Sequence, residues 1–380
     1  MRLTLTLLAL SFLTTPARAQ FDIEDSNSTA SLRGIHNVGG GVVWASGTNG
    51  TVLRSEDGGY LWQTCNIPPG AEKLDFRGIQ AFDANTAIVM SSGTGDLSRI
   101  YKTTDGCQTW KLLFTNPDKD GFWDAIVAKA GSGFLVGDPV ADRIVIYASS
   151  DGKFEKWTRF GEQSSLHEFK FDLPPYKGEG LFAASNSNLE GDPSSGITFV
   201  SGGILGAFCF NAAWREQGIG GFPTFSSFKS HIPLAAGATA GAFSFANKGE
   251  QTIDVTRRHS RQFLAAVGGD YKEPDSSSGT AAWSKDSGQH WHAATAPPHG
   301  FRSAVAYDPT QKLWITVGPN GTDISRDDGK NWTPLKPSGY DPPDADKNWN
   351  ALSLPFVVGP KGRIGRLRTI TQTENQPAKK

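Results

Sequence analysis

The chain of 380 residues lacks most of the features that single out a chemistry at first sight. It has no charge of one sign to spare: 37 basic and 38 acidic residues leave a net charge of −1. A polyanion such as nucleic acid, or an anionic membrane surface, therefore finds no overall field to bind. Cysteine is scarce, with Cys65, Cys107 and Cys209 forming an odd set that shows no metal-ligand spacing. The seven histidines contain no His-Glu-x-x-His pattern, so no metal and no cofactor are expected. Gly-x-Gly strings such as "GTGDLS" precede no helix and read as turns rather than phosphate cradles. The apolar run from Leu3 to Leu13 falls short of the roughly 20 residues that cross a bilayer, so no membrane span is expected.

That short run has another meaning. It follows Arg2 and ends at Ala17-Arg18-Ala19, the pattern of a secretory leader cleaved near Ala19. Residues 1–19 are read as this leader, 20–370 as one domain and 371–380 as a polar tail, giving an exported protein, periplasmic or secreted. With 20% charged and 38% hydrophobic positions the remainder has an ordinary globular composition. Thiols packed within strands are the expectation for the cysteines, and a Cys65–Cys107 bridge is the alternative that an oxidising compartment allows.

What the chain does contain is a repeat. "SEDGGYLW" (55–62), "SKDSGQHW" (284–291) and "SRDDGKNW" (325–332) share one pattern, and "TTDGCQTW" (103–110) and "SSDGKFEKW" (149–157) are imperfect copies. Their aspartates Asp57, Asp105, Asp151, Asp286 and Asp327 are separated by 48, 46, 135 and 41 residues, and a period in the forties marks a repeat architecture. In each copy the Asp can accept turn N–H groups, the Gly position tolerates positive φ, and Trp62, Trp110, Trp157, Trp291 or Trp332 supplies an apolar plug. Two further strand-like runs precede each turn, as in "FRGIQAF" and "TAIVMSS", giving four short strands per repeat.

Repeated four-stranded units specify an all-β fold, a β-propeller whose radial closure protects the strand edges. The long gap holds two blades. The first is built from "LFAASNSN", "GITFVSG" and "GAFCFNAA", with its turn degenerate around Trp214. The second carries "ANKGEQTIDVTRRHSR" as an insertion between its first two strands. After Trp332 the chain is one strand short, and "FDIEDSNS" near the N-terminus can supply it. The expectation is seven four-stranded antiparallel blades, the last closed by both ends of the chain.

The Ser-x-Asp-x-Gly-x-x-Trp turn resembles the Asp-box, or bacterial neuraminidase repeat, of sialidases, sortilin ectodomains and some xyloglucanases. With the blade count, the terminal closure and the "FRGI" and "FRSAVAY" openings, the chain looks most like the photosystem II stability and assembly factor family. That resemblance implies a non-catalytic propeller that works by binding.

Aligning the first strands places Arg33, Arg77, Asp124, Arg302 and Asn350 in a ring at one mouth of the central channel. The loops from second to third strands reach the same face and bring Asp138, Asp270 and Tyr271. Guanidinium groups beside carboxylates suit a carboxylate or a sugar, so the expected partner is a protein, a glycan or a small anion, bound by a monomer. The alternative from another class is a glycoside hydrolase, for which two carboxylates must face each other about 5 to 10 Å apart. Asp124, Asp138 and Asp270 are its candidates, with Tyr271 as the nucleophile of a sialidase-like variant. The "FRGI" and "FRSA" strings depart from the Phe-Arg-Ile-Pro opening of sialidases. The basic run Arg257, Arg258, His259 and Arg261 reads as a solvated insertion.

Overall fold

Each aspartate turn folds on contacts that lie within eight residues. In the first, Ser55 Oγ donates to Asp57 Oδ1 at 2.9 Å, and Asp57 Oδ1 accepts the Leu61 N–H at 3.0 Å. The turns at Asp286 and Asp327 repeat both bonds, with the N–H of His290 and of Asn331 at 2.9 Å. The fourth and fifth positions have positive φ in these copies, as at Ser287 (60°) and Gly288 (82°). A side chain at the fifth position also meets its neighbour, since a Cβ on Gly59 would stand 2.5 Å from Phe356 Cε1. At Gly59 glycine answers to both conformation and space.

The computed structural model describes residues 20–129, 131–160, 174–192, 196–215, 224–254 and 259–370. The expected leader and polar tail, the Trp214 turn beyond Arg215, and Arg257 and Arg258 lie outside the described residues. Apart from one short 3₁₀ turn at Gly95–Leu97, the described elements are all strands. Five sheets are four-stranded and antiparallel. The first runs Leu32–Gly39, Val42–Gly47, Val52–Ser55 and Gln63–Thr64. The second runs from Phe76–Ala81 to Lys111–Thr115, and the third from Trp123–Lys129 to Thr158–Arg159. Another runs from Ala304–Asp308 to Thr333–Pro334. The closing sheet joins Ala351–Ser353, Phe356–Val358 and Ile364–Leu367 to the N-terminal strand Phe21–Glu24, which pairs Phe21 with Leu367 and Glu24 with Ile364.

The sixth sheet has nine strands. It contains two four-strand runs, one ending in Ala207–Arg215 and Thr224–Ile232 and one beginning with Ala240–Asp254, joined by the single pairing of Gly202 with Gly241. Two expectations change here. The stretch "FAASNS" is not the inner strand of its unit; that strand is Leu189–Asp192, and residues 181–188 leave the sheet. The segment read as an insertion instead prolongs a hairpin, with Ala240–Asp254 pairing His259–Asp270 as far as Asp254 opposite His259.

Inner strands pack in a circle: Leu32–Gly39 on Phe76–Ala81, that on Trp123–Lys129, and so on through Ala304–Asp308 and Ala351–Ser353 back to Leu32–Gly39. The core lies between sheets rather than within one. Trp44 and Val52 pack with Phe76 and Tyr101, Phe134 and Val136 with Phe199 and Phe210, and Leu53 with Phe356 and Val358. This is the layered packing that buries both faces of each sheet and closes the ring.

The cysteines correct a further expectation. Cys65 and Cys107 form a disulfide between the first and second sheets, with Cα atoms 5.3 Å apart, within the usual range. Cys107 occupies the fifth position of its turn at φ 65°, where the clean copies have glycine. Cys209 is a free, buried thiol, as expected.

Candidate functional site

The start of the inner strand is where the sheets differ most from one another. Register breaks between Leu32 and Gly34, Phe76 and Gly78, Trp123 and Ala125, and Ala242 and Ser244 leave one residue outside the ladder in each. Those residues are Arg33, Arg77, Asp124 and Phe243. A bulge re-aims its side chain away from the pleat. The small residue that follows permits it: a Cβ on Gly34 would lie 2.5 Å from Ser46 Oγ, and one on Gly78 2.8 Å from Ile126 Cγ2.

Arg33 and Arg77 converge on Asp75, a residue the sequence reading did not single out. Asp75 Oδ2 lies 2.8 Å from Arg77 Nε and 3.7 Å from Arg33 Nε. Both arginines keep a wet edge, with side chains 31% and 26% exposed. Burial and the neighbouring Arg77 charge lower the pKa of Arg33 from the usual guanidinium value, and Asp75 opposes them. One carboxylate shared by two guanidinium groups leaves positive charge for a ligand. Asp75 stands immediately before its strand, next to the bulge, and that position was its only signal in the sequence.

Asp124 and Asp138 sit on adjacent strands behind this pair. Asp124 is 1% exposed, and its Oδ2 is buried without a hydrogen-bond partner. Burial, then the neighbouring Asp138 carboxyl, raises the Asp124 pKa well above the ordinary value, and the Arg77 charge only partly offsets this. Asp138 is also raised by burial, although its Oδ1 accepts the Leu181 N–H at 2.9 Å. Asp270 Oδ1 is committed to its own loop, accepting from Thr239 Oγ1 at 2.7 Å and the Lys272 N–H at 2.9 Å. Asp124 is thus withdrawn from solvent, unlike the paired carboxylates that a glycosidase presents across a cleft.

Two other expected ring members are taken up by bonds within the protein. Arg302 is 0% exposed and turns inward onto Asp323, with Nε 2.9 Å from Oδ2 and Nη1 2.8 Å from the Phe301 carbonyl. Its sequence position matches Arg33 and Arg77, but a buried carboxylate on Gly321–Ser325 captures it. Asn350 Nδ2 donates to the Leu32 carbonyl at 2.7 Å and joins the closing sheet to the first.

Opposite the arginines is an aromatic sector. Phe182 stacks on the bulged Phe243 at 4.0 Å, and Phe301 and Tyr271 meet Phe243 edge-on at 4.7 and 6.2 Å. Tyr271 is 47% exposed. The loops from second to third strands and the links between sheets share this face, held by backbone bonds such as Asp138 N–H to Phe122 carbonyl and Phe301 N–H to Pro274 carbonyl. Most of the exposed large apolar side chains among the described residues lie in these segments: Ile67, Leu97, Tyr176, Ile204, Leu205, Tyr271 and Tyr340. The opposite-face turns carry Tyr60 and Leu61.

No protein-family model matches the chain, and no curated protein matches it in sequence. Solved structures do match in shape. YCF48 bound to a D1 peptide superposes with TM-score 0.56 at 16% identity, over 93% of this chain and 98% of that one. YCF48 from Cyanidioschyzon merolae gives TM-score 0.57 at 15% identity, over 92% and 99%. The chain has the β-propeller fold of these proteins. A GH74 enzyme from Niastella koreensis matches at TM-score 0.33 and 15% identity over 78% of this chain and 55% of that one, too loosely to bear on activity. Among the described residues no helix is long and apolar enough to cross a membrane, and no cluster of three or more metal-ligating side chains occurs.

Proposed function

We propose that this chain is an exported, non-catalytic propeller of seven blades, counting the nine-stranded sheet as two, and that its arginine-bearing mouth docks a segment of a partner protein. One observation carries the reading. The two partly exposed arginines that share Asp75 lie on the face that gathers the exposed apolar side chains. A surface with localised positive charge and aromatic anchors fits a peptide that combines carboxylates with apolar side chains. A small anion needs no such apolar rim. A neighbour of the same fold is bound to a D1 peptide, which supports peptide docking as a use of this architecture.

Fluorescence anisotropy with a labelled Glu-Phe-Glu-Phe-Glu-Phe peptide tests it, with Lys-Phe-Lys-Phe-Lys-Phe as control. The acidic peptide should bind the wild type and the basic one should not. Replacing Arg33 and Arg77 together by Ala should weaken binding at least tenfold without lowering the melting temperature by more than a few degrees. Equal binding of both peptides, or an unaffected double variant, rejects the assignment.

A further inference from the structure

The hub contains a segment that the arginine site does not explain. Glu179–Gly180 and Leu189–Asp192 both pair with Gly196–Gly203, and the eight residues between them, 181–188, leave the sheet except at their end, where the Asn188 carbonyl accepts the Val200 N–H at 3.0 Å. Where four other inner strands have a one-residue bulge, this one has an excursion. It bonds to several other sheets. Leu181 N–H reaches Asp138 Oδ1 at 2.9 Å, and the Ala183 carbonyl accepts from Arg77 Nη1 at 3.0 Å. Asn186 stands in for a strand: its Oδ1 accepts the Ile126 N–H at 2.8 Å and its Nδ2 donates to the Ile126 carbonyl at 3.0 Å. The Ser187 carbonyl accepts the Phe245 N–H at 3.0 Å, and Ser185 Oγ donates to the Ser303 carbonyl at 2.8 Å. Arg77 belongs to a sheet that does not adjoin the one the segment leaves, and Ser303 opens the sheet packed against the far half of that one, so the segment crosses the hub.

We propose that residues 181–188 form a strap that closes the channel and is latched by Arg77, and that a carboxylate ligand engaging Arg77 releases it. The inference rests on the reading of the mouth given above and concerns its regulation. Arg77 Nε is held by Asp75, so the fork left to a ligand is Nη1 and Nη2, and Nη1 is on Ala183. A bidentate carboxylate takes both nitrogens. The buried Ala183 carbonyl then loses its donor, an unfavourable state that moving the strap relieves.

Hydrogen exchange measured by NMR at the Ile126 and Phe245 amides reports the strap, because both donate to it. The Val357 amide, in the closing sheet to which the strap makes no bond, reports the fold. Without peptide, Arg77→Ala should raise exchange at Ile126 and Phe245 at least tenfold and leave Val357 unchanged. Arg77→Lys, which keeps the charge and loses the fork, should do the same and serves if the Ala variant does not fold. Unchanged exchange at the two amides in a folded variant overturns the latch. In the wild type, saturating Glu-Phe-Glu-Phe-Glu-Phe peptide should raise the same two rates; peptide that binds and leaves them unmoved overturns the coupling. Failure of the peptide to bind removes the reading of the mouth and the ligand half of this proposal, while the peptide-free variants still decide the latch.

Discussion

The aspartates of the five repeated turns and those of the hub mouth are the same residue in opposite surroundings. In the turns, hydrogen bonds outweigh whatever burial exists. The Leu61 N–H holds Asp57 below the ordinary carboxylate value, and the Thr109 hydroxyl and N–H lower Asp105 to about 2. For Asp151, Asp286 and Asp327, burial acts to raise the value, and turn donors overcome it. At the mouth, burial wins, and Asp124 and Asp138 are both raised. The turn aspartates stabilise the fold as anions, by contacts a few residues away. Asp124 and Asp138 strain it as anions, and the Arg77 charge offsets part of this at Asp124 as the Leu181 N–H does at Asp138. The repeated element is built for stability, and the element that varies from sheet to sheet is where stability is given up.

That contrast is most easily broken at Arg302, which belongs to the mouth by sequence and to the core by structure. Arg302→Ala leaves the buried Asp323 with the His299 ring, 2.9 Å from Oδ1, as its remaining ring or charged partner, and should cost about 3–5 kcal/mol, read as a fall in the urea midpoint. Arg33→Ala, at the equivalent but wetter position, should cost far less in the same measurement. Next in size is the staple between the first two turns: Cys65→Ser with Cys107→Ser should lower stability by about 3 kcal/mol. A loss well under 1 kcal/mol would mean that the turns hold neighbouring sheets together without it. Asp286→Ala removes a carboxylate that accepts the His290 N–H and should cost about 1 kcal/mol, comparable to losing a helix cap.

The acid dependence sharpens the same comparison. Asp286 has a lowered folded pKa, so its contribution is complete above the ordinary value of 3.8 and is lost as pH falls through the folded value. Asp124 has a raised one, so the folded state holds its proton more tightly than the unfolded chain does. Its effect on stability is most favourable below 3.8 and declines as pH rises through that value towards the folded pKa. Asp124→Asn should therefore melt higher than wild type at pH 8, by roughly 2 °C for each kcal/mol relieved, and the two curves should converge near pH 4. A variant that melts lower than wild type at pH 8 would show that the Asp124 charge is needed by Arg77 more than burial opposes it.

The turns were legible in the sequence because the bonds that make them join residues at most eight apart, and the relations of Ser55 and Asp57 recur at Ser284 and Asp286 and at Ser325 and Asp327. The four-strand rhythm was legible for the same reason. Residues 181–188 were not, because Leu181-Phe182-Ala183-Ala184 has the look of a buried strand. The run Ser185-Asn186-Ser187-Asn188, rich in side chains that replace backbone partners, was the available warning. Arg302 was misplaced because nothing near it in the chain announces Asp323 as its partner, and Asp75 was missed because a lone carboxylate before a strand is ordinary.

The order of residues settles how each hairpin turns, where strands begin and end, and that the unit repeats, since these depend on backbone conformation and near neighbours. Which arginine faces water, which aspartate is stripped of it, and that one inner strand gives up eight residues to span the hub are settled when the ring closes. Burial and charge pairing there are set by groups that closure of the ring brings together from different strands and sheets, such as Asp75 on Arg33 and the Ala183 carbonyl on Arg77, and no local pattern encodes their distance or their dielectric.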